Sequence, residues 1–256
     1  MPFARCHSAG RVHYAERGES RADQGWPFLL IHGAGASSAI WMMVMARLAR
    51  ASRAVAIDLP GHGPSPAFED KPHPTIADYC RATGELAALT GLGRSVLIGH
   101  SMGALVAIEA ALAWPDKVAG VVLCAAAPRL PVSRDLMKVI DEDYPHFPAW
   151  LAERALSVSA KPALRRAFVA AGVVAPQAVT RADFQAIAGT DLGARLQAIR
   201  CPIVWLDGAD DAILGERGER PGIIENLAGV GHLVPVEAPE VVARTAIAMG
   251  AAVAHS

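Results

Sequence analysis

Apolar positions along this chain recur in two registers. Runs that are apolar at nearly every position, at residues 28–31, 55–58, 95–99, 120–124 and 203–207, are rich in β-branched side chains and predict strands covered on both faces. Longer stretches between them carry a helical period. In residues 76–89 the positions Ile76, Tyr79, Cys80, Thr83, Leu86 and Ala87 share one face behind the N-cap Thr75. A second helix is predicted from Met102 to about Trp114, where Pro115 stops it, and a last one after Pro239, whose fixed φ suits a first turn. Strand and helix alternating in this way predict repeated βα units and a mainly parallel sheet, an α/β fold. Residues 3–7 and 11–16, parted by Ala9-Gly10, predict a hairpin at the sheet edge.

Between Pro128 and Pro202 this rhythm stops. Helical segments are expected near residues 136–140, 149–156, 163–170 and 178–187. The expected organisation is therefore an α/β core of residues 1–128 and 200–256, interrupted by a helical cap of residues 129–199. Met137, Phe147, Trp150, Phe168 and Phe184 put too much apolar surface in that insertion to leave in water, so part of it must pack on the sheet.

Composition narrows the function classes. The chain of 256 residues suits one domain, and its net charge of -1, with no basic face, argues against a nucleic-acid partner and for a small molecule. No apolar run is long enough to span a bilayer, and the start Met1-Pro2-Phe3-Ala4-Arg5-Cys6-His7 lacks the apolar stretch of a secretory signal, so no membrane partner and a cytoplasmic location are expected. Cys6, Cys80, Cys124 and Cys201 form no C-x-x-C pair and read as reduced thiols. The histidines offer no H-x-x-x-H pair, and no metal is expected.

The chemistry is concentrated in three places. After the apolar run at residues 95–98 comes Gly99-His100-Ser101-Met102-Gly103, followed at once by a helix. A G-x-S-x-G between strand and helix holds its serine on a strained turn, where side chains at the glycines would clash, and points the N–H groups of the helix start at a developing oxyanion. A serine hydroxyl needs an imidazole beside it, and His232, in the loop Gly229-Val230-Gly231-His232 before the last helix, is the base expected to reach Ser101. The imidazole in turn needs a carboxylate. Asp207, Asp210 and Asp211 stand at the end of a buried strand; Asp207 is still in or just leaving it, so the choice lies between Asp210 and Asp211.

These motifs resemble the α/β-hydrolase superfamily, in particular its single-domain bacterial members with a helical cap: ester hydrolases, haloperoxidase-like proteins and C–C bond hydrolases. The resemblance runs through His32-Gly33-Ala34-Gly35, the segment from Asp58 to Ser65, the serine motif, the aspartate loop, and Gly231-His232 followed by Glu237-Ala238-Pro239-Glu240. The order serine, aspartate, histidine is that of the family. By the resemblance, Gly208-Ala209-Asp210-Asp211 matches a Gly-x-x-Asp acid loop and assigns Asp211, while Ala34 and Met102 become the oxyanion donors. His32 then reads as a tether of its loop, and His62 as structural. One departure stands out. Where the family usually has a full helix after the acid, residues 212–221 hold two glycines and a proline, with room for about one turn, which leaves a side of the sheet open to a second copy of the chain.

The expected activity is hydrolysis of a small or medium carboxylic ester through an acyl-enzyme on Ser101, a mechanism that calls for no cofactor. The alternative is a C–C bond or lactone hydrolase of a metabolite. A third reading, in another class, is a non-catalytic receptor for a small ligand. Substrate choice is assigned to the insertion and to residues behind the oxyanion loop, with Trp41, Phe147 and Trp150 as the expected contacts and Ser37 and Ser38 beside them. Arg129 reads as a surface residue.

Overall fold

The structure is a computed structural model and describes residues 2–19, 25–171 and 175–254. The hairpin expected at the start is β1 (Phe3–Cys6) and β2 (Gly10–Arg17), followed by β3 (Phe28–Ile31). Next come α1 (Met42–Leu48), β4 (Ala54–Ile57), α2 (Ile76–Leu89), β5 (Ser95–His100), α3 (Met102–Ala113) and β6 (Val118–Cys124). The insertion contributes α4 (Arg134–Glu142), α5 (Phe147–Ala155), α6 (Pro162–Ala171) and α7 (Gln177–Ala188). The chain returns to the sheet as β7 (Ile203–Gly208) and β8 (Ile223–Leu227) and closes with α8 (Val234–Glu237) and α9 (Pro239–Ala254).

One eight-stranded sheet runs in the order β1-β2-β4-β3-β5-β6-β7-β8. β2 pairs antiparallel with both neighbours, and the rest of the ladder is parallel. The apolar runs are explained by layers: α1 packs on α9 over one face and α2 on α3 over the other. Helix α3 is apolar almost all round because it is buried almost all round. Strand order reverses at β3, which has β4 on one side and β5 on the other. In an open α/β sheet the crevice at the carboxyl ends of such strands is where ligands bind.

Local chemistry explains the best-defined helix. Thr75 accepts from the Asp78 N–H while Asp78 accepts from the Thr75 N–H, a capping box that sets the first turn of α2. The helices of the insertion carry a small apolar cluster of their own around Ile140 and Phe147 and share a second, around Ala155 and Leu156, with Leu233 of the core, while Phe184 packs against the main core. The shortened connection at residues 212–221 contains no helix, and Ile223 and Ile224 of the edge strand β8 are exposed. Among the described residues no helix is long and apolar enough to cross a membrane.

Candidate active site

Ser101 follows β5 directly and has φ 52 and ψ −117, a conformation that costs an L-residue about 1–3 kcal/mol. Packing imposes it. A Cβ on Gly99 would lie 2.4 Å from the Gly103 carbonyl oxygen, and one on Gly103 would lie 2.2 Å from the Ile31 carbonyl oxygen. Both glycines of the motif are thus required by close backbone approach, and the turn between them is further held by the Ser101 N–H donating to the Cys124 carbonyl at 3.0 Å. The N–H of Met102, at the start of α3, and that of Ala34, after β3, have no acceptor among the described residues. A Cβ on Gly33 would stand 3.2 Å from the Ser101 Cβ, so the loop carrying Ala34 lies against the serine.

His232 follows β8, and its Nδ1 is 2.9 Å from Asp211 Oδ2. Asp211 Oδ1 accepts from the N–H groups of Ile213 and Leu214 at 2.9 and 3.2 Å. Burial alone would raise this carboxyl; the bond from His232 and the two backbone donors outweigh it and hold Asp211 below the usual carboxylate range. Asp210 turns the other way, where its Oδ2 accepts from the Ser157 hydroxyl at 2.5 Å. Asp207 is buried within β7 and paired with the Arg220 guanidinium at 2.7 and 3.1 Å. Of the three aspartates, Asp211 is thus the one at the imidazole.

The backbone of His232 is gripped from two sides. Its carbonyl accepts from His100 Nε2 at 2.9 Å, and its N–H donates to the Ala155 carbonyl of the insertion at 2.7 Å. Burial, with help from the neighbouring His232, pushes His100 down to about 3, so His100 is a neutral donor. No role was expected of His100 from the sequence, where the motif supplied Ser101, its two glycines and the Met102 N–H. Its position beside Ser101 was the available signal.

Ser101 and His232 border one cavity of about 500 Å³ beneath the insertion. Its walls are mainly apolar, including Leu136, Trp150, Phe168, Phe184 and Ile213, with Ser37, Ser133, Asp135 and Arg154 as polar groups. Trp150 therefore lies where the sequence put it, and two other expected contacts do not. Trp41 is 0% exposed inside the main core, and Phe147 is 1% exposed at the centre of the insertion's own cluster, stacked with Tyr144 and Trp150. Both aromatic rings face inward from the element that bears them and do not border the cavity. Ser38 does not border it either; its N–H caps Asp58. Arg129 is exposed.

Two buried histidines brace the loops beside the site. His32 Nδ1 donates to the Gly33 carbonyl at 2.8 Å, and its Nε2 accepts from the Leu59 N–H at 3.1 Å, a tether that fixes one tautomer. Burial and the neighbouring His62 hold this imidazole well below its ordinary value. His62 Nε2 meets Asp183 Oδ2 at 2.8 Å. Asp183 lies on α7, 0% exposed, and no sequence pattern marked it.

The fold agrees with what comparison with known proteins shows. The profile of the alpha/beta hydrolase family matches residues 28–245, and the chain belongs to that family. It is 32% identical over 220 residues to the putative carbamate hydrolase RutD of Variovorax paradoxus strain S110, covering 79% of each chain. An uncharacterized protein of Mycobacterium tuberculosis H37Rv is 36% identical over 117 residues, 45% of this chain, and the match spans about a third (33%) of that protein's length. The fold is shared with the enol-lactonase from Burkholderia xenovorans LB400, with TM-score 0.83 at 21% identity over 97% of this chain and 99% of that one.

Proposed function

We propose that this protein is a serine hydrolase that transfers the acyl group of a small or medium uncharged ester to water through an acyl-enzyme on Ser101. One observation carries the reading: a serine on a left-handed strand-to-helix turn and a histidine bonded to a buried aspartate border the same apolar cavity. As Ser101 Oγ bonds to the substrate carbonyl carbon, His232 Nε2 takes the hydroxyl proton, while Asp211 keeps the other proton on Nδ1 and stabilises the imidazolium. The carbonyl electron pair moves to oxygen, held by the N–H groups of Ala34 and Met102; one such donor is worth about 10²–10³ in rate. When the tetrahedral species collapses, the carbon–oxygen bond to the alcohol breaks and the alcohol leaves with the proton from His232. Water, giving its proton to His232, then attacks the acyl carbon and releases the acid and free Ser101. Residues 129–199 act as the cap that selects the acyl group, and the apolar wall favours uncharged substrates.

The likeness to a putative carbamate hydrolase over 79% of each chain favours a second reading, in which the same attack falls on a carbamate carbonyl. A panel of aryl esters, thioesters, lactones, carbamates and a diketone, with Ser101→Ala as blank, decides between them. The expected result is burst release from short-chain aryl esters and labelling by a fluorophosphonate probe, both lost in the variant. Unchanged turnover in Ser101→Ala overturns the acyl-enzyme. Much faster turnover of a lactone, diketone or carbamate moves the assignment to that class, and failure of the probe to label the serine returns the protein to a ligand receptor.

A further inference from the structure

Asp183 gathers three donors that are far apart in the chain. Its Oδ2 accepts from the Gly35 N–H at 2.9 Å and from His62 Nε2 at 2.8 Å, and its Oδ1 accepts from the Tyr79 hydroxyl at 2.6 Å. The group is buried throughout: Asp183 and His62 are 0% exposed and Tyr79 is 1% exposed. A carboxylate at such a site suits its partners, since two oxygens can serve three donors that an apolar residue would leave unpaired. His62 has an oxygen against each ring nitrogen, the second being the Pro60 carbonyl at 3.2 Å, so both nitrogens donate. Burial would push this imidazole down, but the Asp183 carboxylate overrides it and the net direction is upward, as an imidazolium requires.

The bond to Gly35 matters most, because Gly35 directly follows Ala34. The two peptide planes that flank the Ala34 α-carbon are held from different parts of the chain. In the first, the Gly33 carbonyl accepts from His32 at 2.8 Å and from the Ala36 N–H at 3.3 Å, both in the core. A trans peptide points its N–H opposite to its carbonyl, so these bonds aim the Ala34 N–H. In the second, the Gly35 N–H is held by Asp183. Gly35 has φ +67, a left-handed conformation that lets the loop turn here, and its carbonyl accepts from the Ala175 N–H at 3.3 Å. Both polar backbone groups of Gly35 are therefore satisfied by the insertion between β6 and β7, and neither by the core.

We infer that Asp183 is a positioning residue for the oxyanion hole: from the insertion it fixes the peptide between Ala34 and Gly35, so that the Ala34 N–H faces the reacting carbonyl oxygen at Ser101. The insertion then does two things. It walls the substrate cavity, and it completes the alignment of an oxyanion donor that the core alone holds on one side. The inference rests on the acyl-enzyme reading above, and it goes further in giving the insertion a part in the transition state.

The test uses Asp183→Ala, which removes the acceptor, and Asp183→Asn, which keeps one oxygen in nearly the same shape. With a short-chain aryl ester, kcat is expected to fall about ten- to a hundredfold in the alanine variant and less in the asparagine variant, because a misaimed donor loses part of what a deleted one would. KM should stay within about twofold, and affinity for a trifluoromethyl ketone, whose adduct places an oxyanion in the hole, should fall by the same factor as kcat. A merely structural role would lower the melting temperature without this parallel. Folded variants with wild-type kcat, or a loss confined to KM, overturn the inference. Should the alanine variant not fold, the asparagine variant decides on the same criteria. A wild-type protein that is neither labelled by fluorophosphonate nor turns over any acyl substrate overturns the acyl-enzyme reading itself, and the inference with it.

Discussion

Asp210 and Asp211 are neighbours in the chain and differ completely in what they do. Asp211 accepts from His232 and from two backbone N–H groups, whereas Asp210 is spent on the Ser157 hydroxyl of the insertion. An amide at position 211 would offer an N–H to the imidazole and favour the wrong tautomer. Asp211→Asn is therefore expected to lower kcat by up to about 10⁴ with little change in KM. Asp210→Asn should keep kcat within about threefold and register as a small fall in melting temperature, since it weakens one hydrogen bond. Steady-state kinetics on both variants with one aryl ester checks the pair. Equal losses would mean that the two carboxyls share the role.

Among the elements, β5 and α3 cross beside β3 with no room for an added side chain. At Gly103 an added methyl would meet the carbonyl oxygens of Ile31 at 2.2 Å and His32 at 2.5 Å, both backbone atoms that cannot swing aside. Gly103→Ala should cost about 3 kcal/mol or more, at the upper end of overpacking, and chemical denaturation would measure it. A variant as stable as the wild type would show that strand and helix can separate. The elements themselves were largely legible in the sequence. Helix α2 runs from Ile76 to Leu89 as expected, because its start is written locally in Thr75 and Asp78. Each predicted strand exists, with ends moved by one or two residues, as for β6, which begins at Val118. What was not legible was which way the aromatic side chains point. Trp41 and Phe147 have the composition of a pocket wall, but burial in one apolar environment or another leaves the same mark on a sequence.

At the scale of the whole molecule, the insertion is fastened to the core by polar bonds that are buried or partly so. Asp183 reaches His62, Tyr79 and Gly35, while the Ala155 carbonyl takes the N–H groups of His232 and Leu233, and Glu237 accepts from the Ser157 N–H. The His62 contact makes stability depend on pH. Because His62 is raised above 6.5 in the folded state, by the Asp183 carboxylate against the opposing effect of burial, the proton it holds contributes stability in full below that value. The contribution is lost as pH rises through the raised folded value. Tyr79, bonded to the same carboxylate, is itself pushed upward by burial and by Asp183, so it stays neutral over this span. The melting temperature of the wild type should thus fall between about pH 6 and pH 9 by a few degrees more than that of His62→Gln. Parallel curves for the two proteins would show that His62 holds no extra proton.

The sequence by itself determined the alternation of strand and helix, the break that holds the insertion, and the two residues with the most distinctive surroundings, Ser101 and His232. These are written in periodicity and in short motifs, and both depend on neighbours a few residues away. Only the tertiary structure decided which aspartate meets the imidazole, which aromatic rings reach the cavity, and that Asp183 stands beside Gly35 across 148 residues of chain. Those outcomes turn on the rotation of helices about their axes and on where distant loops are brought together. A local pattern carries no information about either until the sheet has fixed the ends of its strands.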